Sequence, residues 1–173
     1  MKRSENDYII GVTGHRVLPD ESVPAITQSV RDFFHEIKTT YGESRITVLS
    51  PLAEGADILC AKLAPDYGMR LVVPLPMPEQ EYLMDFSDKE DFFLLTAEAD
   101  EVFVAKPAEP VPARPTTGFY FRQAGLYVAK NCDVLLAIWD GIKRNSPDGA
   151  GTWATIQAAR QFGKPIRQIP MYY

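Results

Sequence analysis

From Tyr8 to Ile169 the chain alternates short apolar runs with stretches whose apolar residues recur at helical spacing. No other feature constrains the fold as much, because strands separated by helices are joined by crossovers and lie parallel in one sheet. The first run, Tyr8–Val12, stops at Thr13-Gly14-His15-Arg16. After Pro19-Asp20-Glu21-Ser22, residues Ile26, Val30, Phe33, Phe34 and Ile37 fall on one stripe of an amphipathic helix. A second strand is expected over Ile46–Leu49, then a helix with Ala56, Leu59, Cys60 and Leu63 on one face. Leu71–Val73 reads as a third strand, punctuated by Pro74, Pro76 and Pro78. Ser87 and Glu90 have capping-box spacing, which predicts a helix from Asp88 carrying Phe92, Phe93 and Leu95. A short fourth strand follows at Glu101–Val104. Pro107, Pro110, Pro112 and Pro115 make residues 105–118 a surface loop or lid. A helix from about Gly118 to Lys130 leads into Asp133–Trp139, the most hydrophobic run and the expected central strand. A polar loop, a helix from near Thr152 and a strand at Ile166–Ile169 complete a mostly parallel α/β sheet.

With 173 residues, 46% apolar and 24% charged, the chain is expected to form a single domain, 1–173, with a self-sufficient core. The net charge of −5 is unevenly spread. Residues 76–101 hold Glu79, Glu81, Asp85, Asp88, Glu90, Asp91, Glu98, Asp100 and Glu101 against Lys89, a net −8, and the remainder carries +3. That distribution disfavours a broad nucleic-acid track and leaves room for a small phosphate-bearing ligand. Cys60 and Cys132 belong to no C-x-x-C pair and read as buried thiols of a reducing cytoplasm. The polar start Met1–Asp7, the short run Tyr8–Val12 and the lack of a long apolar stretch point to a cytoplasmic chain with no membrane span.

Three loops fall at the carboxyl edge of the expected sheet, where helix N-termini present free N–H groups to ligands. In the first, Gly11 and Gly14 permit close backbone approach, while Thr13, His15 and Arg16 supply polar groups; a tight turn with a solvated Arg16 is the equal alternative. The second, Ser50-Pro-Leu-Ala-Glu-Gly-Ala-Asp57, places Ser50 and Gly55 beside Glu54 and Asp57, carboxylates suited to ribose hydroxyls or to complementing a helix N-terminus. The third combines Asp140 and Gly141 with Gly149, Gly151 and Thr152 at a helix start, either a phosphate cradle or a flexible loop capped by Thr152. His15 and His35 are the two histidines, too few for a zinc cluster, so neither metal nor other cofactor is expected. No Gly-x-Ser-x-Gly elbow is present. Tyr120, Phe121 and Tyr127 read as helix packing residues rather than a stacking platform.

Gly11-Val-Thr-Gly-His-Arg, Ser50-Pro-Leu-Ala-Glu-Gly-Ala-Asp, Cys132-Asp-Val-Leu-Leu-Ala-Ile-Trp-Asp-Gly and Gly149-x-Gly-Thr resemble the SMF/DprA–LOG (SLOG) superfamily over Ile9–Ile169. The resemblance implies a Rossmann-like three-layer α/β/α fold and three kinds of function. These are ligand sensing, phosphoribohydrolysis of nucleoside monophosphates as in Lonely Guy (LOG) proteins, and DNA processing as in DprA/Smf. The Ser50–Asp57 segment is DprA-like. Pro147–Thr155 is similar to the LOG loop Pro-Gly-Gly-x-Gly-Thr-x-x-Glu, but Asp148 replaces the first glycine and Thr155 stands where the catalytic glutamate belongs. Arg122 falls roughly where LOG enzymes carry a catalytic arginine.

These readings favour binding of a nucleotide-like phosphate ligand without chemistry. If the chain hydrolyses an N-glycosidic bond, Glu54 or Asp140 is the expected carboxylate, with Arg16 and Arg122 on the 5′-phosphate. Homodimer formation is expected through the aromatic helix around Phe119–Tyr127, and single-stranded DNA is the least favoured partner.

Overall fold

The computed structural model describes residues 1–172. Six strands form one all-parallel sheet: β1 (Asp7–Gly14), β2 (Arg45–Leu49), β3 (Arg70–Leu75), β4 (Glu101–Val104), β5 (Val134–Trp139) and β6 (Ile166–Pro170), in the spatial order β4-β3-β2-β1-β5-β6. The helices are α1 (Val23–Thr40), α2 (Ala56–Leu63), α3 (Glu79–Tyr82), α4 (Glu90–Glu98), α5 (Thr117–Asn131) and α6 (Thr152–Gln161). The chain lays strands outward from β1 to β4, then returns through α5 to place β5 on the other side of β1. This gives a three-layer α/β/α architecture of Rossmann type, and the strand order reverses between β1 and β5.

Side-chain alternation divides the core between the two sheet faces. Val134, Leu136 and Ile138 of β5 join Ile10 and Val12 against α1 and α2, where all five apolar residues of the α1 stripe are buried. Leu135, Ala137 and Trp139 face α5 and α6, packing with Val128, Ala129, Ile156 and Ala159. Every residue of β5 is buried, as its unbroken hydrophobicity requires. Cys60 and Cys132 are both unpaired and buried, in separate clusters. Among the described residues no helix is long and apolar enough to cross a membrane.

Two local expectations, the end of β3 and the start of α4, need correction. β3 continues through Pro74 to Leu75, because β2 pairs with it only as far as Val72 and so requires no N–H from residue 74. Helix α4 starts at Glu90, without a capping box: the Ser87 hydroxyl donates to Glu54, and Asp88 Oδ1 accepts from Glu90 N–H. The Pro-rich stretch is irregular but pinned, since Gln123 Oε1 accepts from Ala108 and Glu109 N–H at 2.8 and 3.2 Å. The aromatics of α5 are turned into the protein's own packing rather than displayed as a face. Tyr127 stacks edge-on with Phe103, and Phe121 lies against Tyr82.

Candidate functional site

A cleft of about 460 Å³ opens at the carboxyl ends of β1 and β5, where the strand order reverses. Its floor is Val12–Arg16, and its walls come from α5, the loop before α2 and the start of α6. The Val12–Arg16 and Ser50–Asp57 loops are stitched together by Ala56 N–H donating to the His15 carbonyl at 3.0 Å, while His15 N–H donates to the Ile138 carbonyl at 3.1 Å. Gly14 is required by packing rather than by a left-handed turn. A Cβ there would lie 2.6 Å from the Ile138 carbonyl oxygen and closer still to Ala56 Cβ. At Gly55 the requirement is conformational, with φ at +82° beneath the His15 and Arg16 carbonyls.

The second loop holds a buried acid. Ser50 Oγ accepts from Leu52 N–H at 3.1 Å, and Leu52, fully buried, adopts a left-handed φ of 58°. Such a conformation in a leucine is strained, and it persists because burial and the Ser50 bond fix it. The turn brings Ala53 N–H to Asp57 Oδ2 at 3.2 Å. Asp57 is 5% exposed yet lines the cleft. Burial pushes its carboxyl up to about 7, against the opposing pull of the Ala53 amide, the Ser50 hydroxyl and the Arg16 charge.

Glu54 takes a different role. Its Oε1 accepts from Ser87 N–H, Ser87 Oγ and Asp88 N–H at 2.8, 2.7 and 3.1 Å. Burial raises its pKa, but these bonds and the Arg16 charge outweigh that and hold it below the ordinary value. Glu54 therefore anchors the segment before α4. Arg16 makes no ion pair among the described residues. Its guanidinium sits 5.5 Å from the Phe86 ring centroid and 5.6 Å from that of Phe121, within cation–π range of both rings.

Asp140, at the end of β5, is buried with its side chain 4% exposed. Arg144 reaches both its oxygens at 3.0 and 2.8 Å, Ile142 N–H donates to Oδ1 at 3.0 Å, and His15 Nε2 lies 3.2 Å from Oδ1. The Arg144 bonds, with those from Ile142 and His15, hold its carboxyl well below the usual carboxylate range despite burial. His15 and Arg144 face the cleft, and Asp140 positions both from behind.

Gly151, the residue before helix α6, has a φ of 108° open to glycine alone and offers no side-chain cap. Thr155 N–H donates to the Gly151 carbonyl, and the Thr152 and Trp153 amides at the cleft wall have no hydrogen-bond partner among the described residues. Trp153 stacks on Trp139 at 5.7 Å, with Lys143 and Arg160 over its ring. Thr155 is buried, and its hydroxyl donates back to the Gly151 carbonyl at 3.2 Å. Arg122 lies elsewhere, in a fork-to-fork pair with Glu109 of the Pro-rich segment, beside a smaller cleft of about 220 Å³ that also borders Gly149.

Of the expected residues, Thr13, Gly14, His15, Arg16, Asp57, Gly151 and Thr152 share the main cleft. Gly11 packs against Val128 and Cys132; Ser50 lies buried behind Asp57; Gly55 shapes the loop beneath His15; Gly141 turns in open space. Glu54, Asp140, Arg122 and Gly149 stand outside the lining. Sequence reasoning missed Tyr82, Trp139, Trp153 and Arg144, and it left Phe121 as packing alone. The four aromatics within 119–127 were an available signal for Phe121; nothing local marked Tyr82, Trp139, Trp153 or Arg144. Among the described residues no group of three His, Cys, Asp or Glu side chains is placed to hold a metal.

No protein-family model and no curated protein matches the chain. Solved structures do. DNA processing protein A (DprA) from Streptococcus pneumoniae superposes with a TM-score of 0.62 at 17% identity, over 95% of this chain and 51% of that one. DprA from Helicobacter pylori, described for its single-stranded DNA binding mode, gives 0.58 at 13% identity over 95% and 66%. The protein TM1055 gives 0.50 at 17% identity over 92% and 72%. The chain thus spans about half to two thirds of the DprA chains it matches. At these identities the likeness is one of fold: the chain shares the Rossmann-like fold of these structures.

Proposed function

We propose that the chain binds a nucleotide-like phosphate ligand in the cleft between the ends of β1 and β5. The observation that carries this reading is Arg16, a cleft-lining guanidinium that two aromatic rings orient and that no carboxylate pairs with among the described residues. Such a fork suits an anionic oxygen pair. The free amides of the first α6 turn supply further donors of the kind that bind phosphate. The cleft volume falls within the range of small-ligand sites, and its apolar lining, including Tyr82, Phe121 and Trp139, suits a planar base.

One observation supports hydrolysis as a second reading: the buried Asp57 titrates near neutrality within the same cleft, as an acid–base group should. In that reading Asp57 takes the role expected of Glu54 or Asp140. Single-stranded DNA binding, described for the Helicobacter pylori neighbour, is less supported here because residues 76–101 carry −8.

Native mass spectrometry with a mixed panel of nucleoside mono-, di- and triphosphates tests the proposal. An intact nucleotide bound without release of free base is the expected result. Free base with ribose 5-phosphate would favour the hydrolytic reading, and no mass shift with any of them would contradict both.

A further inference from the structure

Strand β4 ends the sheet, and among the described residues no strand pairs with its outer edge. Val102 and Val104 stand in register with the buried Val73 and Leu75, so the apolar sheet face runs out past its covering helices to that edge. There the two valines are 40% and 47% exposed. Helix α4, joined to β4 by a two-residue link, adds Phe93 and Leu94 at 50% and 59% exposure. β4 is short and opens on the charged Glu101, but no lysine, proline or bulge guards it within 101–104.

In sequence these residues lie among Glu90, Asp91, Glu98, Asp100 and Glu101, with Lys89 and Lys106 the flanking bases. Lys62 pairs with Asp91, and Arg70 with Asp100 and Glu101, which leaves most of the −8 of residues 76–101 uncompensated. Two copies meeting at this edge would set two such segments against each other, so like-charge repulsion disfavours self-pairing. The same field attracts a cationic chain.

We infer that the β4 edge, with the exposed apolar residues of α4, docks an extended basic segment of a partner protein by strand addition. Main-chain bonds to the free edge supply affinity in this mode. Alternate apolar residues lie beside Val102 and Val104, and the lysines or arginines are drawn by the net negative field of residues 76–101.

Fluorescence anisotropy with a labelled, end-blocked Lys-Val-Lys-Val-Lys-Val-Lys peptide tests this, using the full chain and an otherwise equal Lys-Gly peptide. The Lys-Val peptide should bind, weaken by about tenfold or more between about 0.05 and 0.5 M salt, and shift the amides of residues 101–104. Val104→Pro, which removes an edge donor, and the surface substitution Leu94→Gln, which removes an apolar contact without changing the charge, should each weaken it by about tenfold. No binding, equal binding of the Lys-Gly peptide, or unchanged binding by both variants would overturn the proposal. So would sedimentation showing that this edge is occupied by a second copy of the chain.

Discussion

His15 Nε2 lies 3.2 Å from Asp140 Oδ1 across the ends of β1 and β5, tying together the two strands between which the sheet reverses direction. The contact joins the first and third of the loops that bear on the cleft. It makes Asp140 a buried support from which His15 and Arg144 reach the open space.

Replacing Asp140 should cost stability in a pH-dependent way. Its carboxyl is held below the ordinary carboxylate value by Arg144, Ile142 and His15, so the contribution is fully present above that value. It fades as pH falls from about 4 towards the depressed folded value. Thermal melts of Asp140→Asn should lie below wild type at pH 7, and the gap should narrow in acid. A constant gap across that range would contradict this account.

Asp57 has the opposite sign. Its folded pKa of about 7 lies above the ordinary 3.8, so the unfolded chain releases its proton first and stability falls as pH rises between those values. Asp57→Asn keeps an acceptor for Ala53 N–H and removes the ionisation. Its melting temperature should gain on wild type from about pH 4 to about pH 7 and then run parallel. Carbon-detected NMR of the Asp57 carboxyl should report the same midpoint directly.

Gly14→Ala should destabilise the fold by about 1–3 kcal/mol. The added methyl meets the Ile138 carbonyl and Ala56, backbone and core groups with nowhere to move. At about 2–4 °C per kcal/mol for a chain of this size, differential scanning calorimetry resolves the loss easily. A variant as stable as wild type would show that α2 shifts freely on β1.

Gln123 holds the Pro-rich segment by accepting from two successive amides and donating to Glu109 at 3.0 Å. Gln123→Ala should release it, and limited proteolysis should then cut within residues 106–116 well before wild type is cut. Equal cutting rates would mean that the Arg122–Glu109 pair suffices alone.

The order of elements was readable because each strand and helix has a distinct period. The α1 stripe and the all-buried β5 followed from residue spacing alone. The edge carrying the three loops was readable for the same reason, since strand ends fall where apolar runs stop. Side-chain assignment within that edge was not. Glu54 and Asp57 are three residues apart, and nothing local says that Ser87, thirty-three positions on, captures the first and leaves the second in the cleft. Arg122 was diverted in the same way by Glu109 from a loop with no periodicity. Phe86 and Phe121 come together on Arg16 only through the tertiary fold.

If Arg16 is the anion-binding group, Arg16→Ala should weaken binding of the nucleotide by about ten- to a hundredfold while leaving the melting temperature nearly unchanged. Arg16→Lys should restore little, because an ammonium neither forks nor stacks as a guanidinium does.

The most direct measurement is amide chemical-shift mapping of the isotope-labelled protein, titrated with the nucleoside phosphate that binds most tightly in the mass-spectrometric panel. The account predicts shifts concentrated at Thr13–Arg16 and Gly151–Trp153, lost in Arg16→Ala. Saturable binding whose shifts fall elsewhere, or a titration with no shifts at these amides, would contradict it.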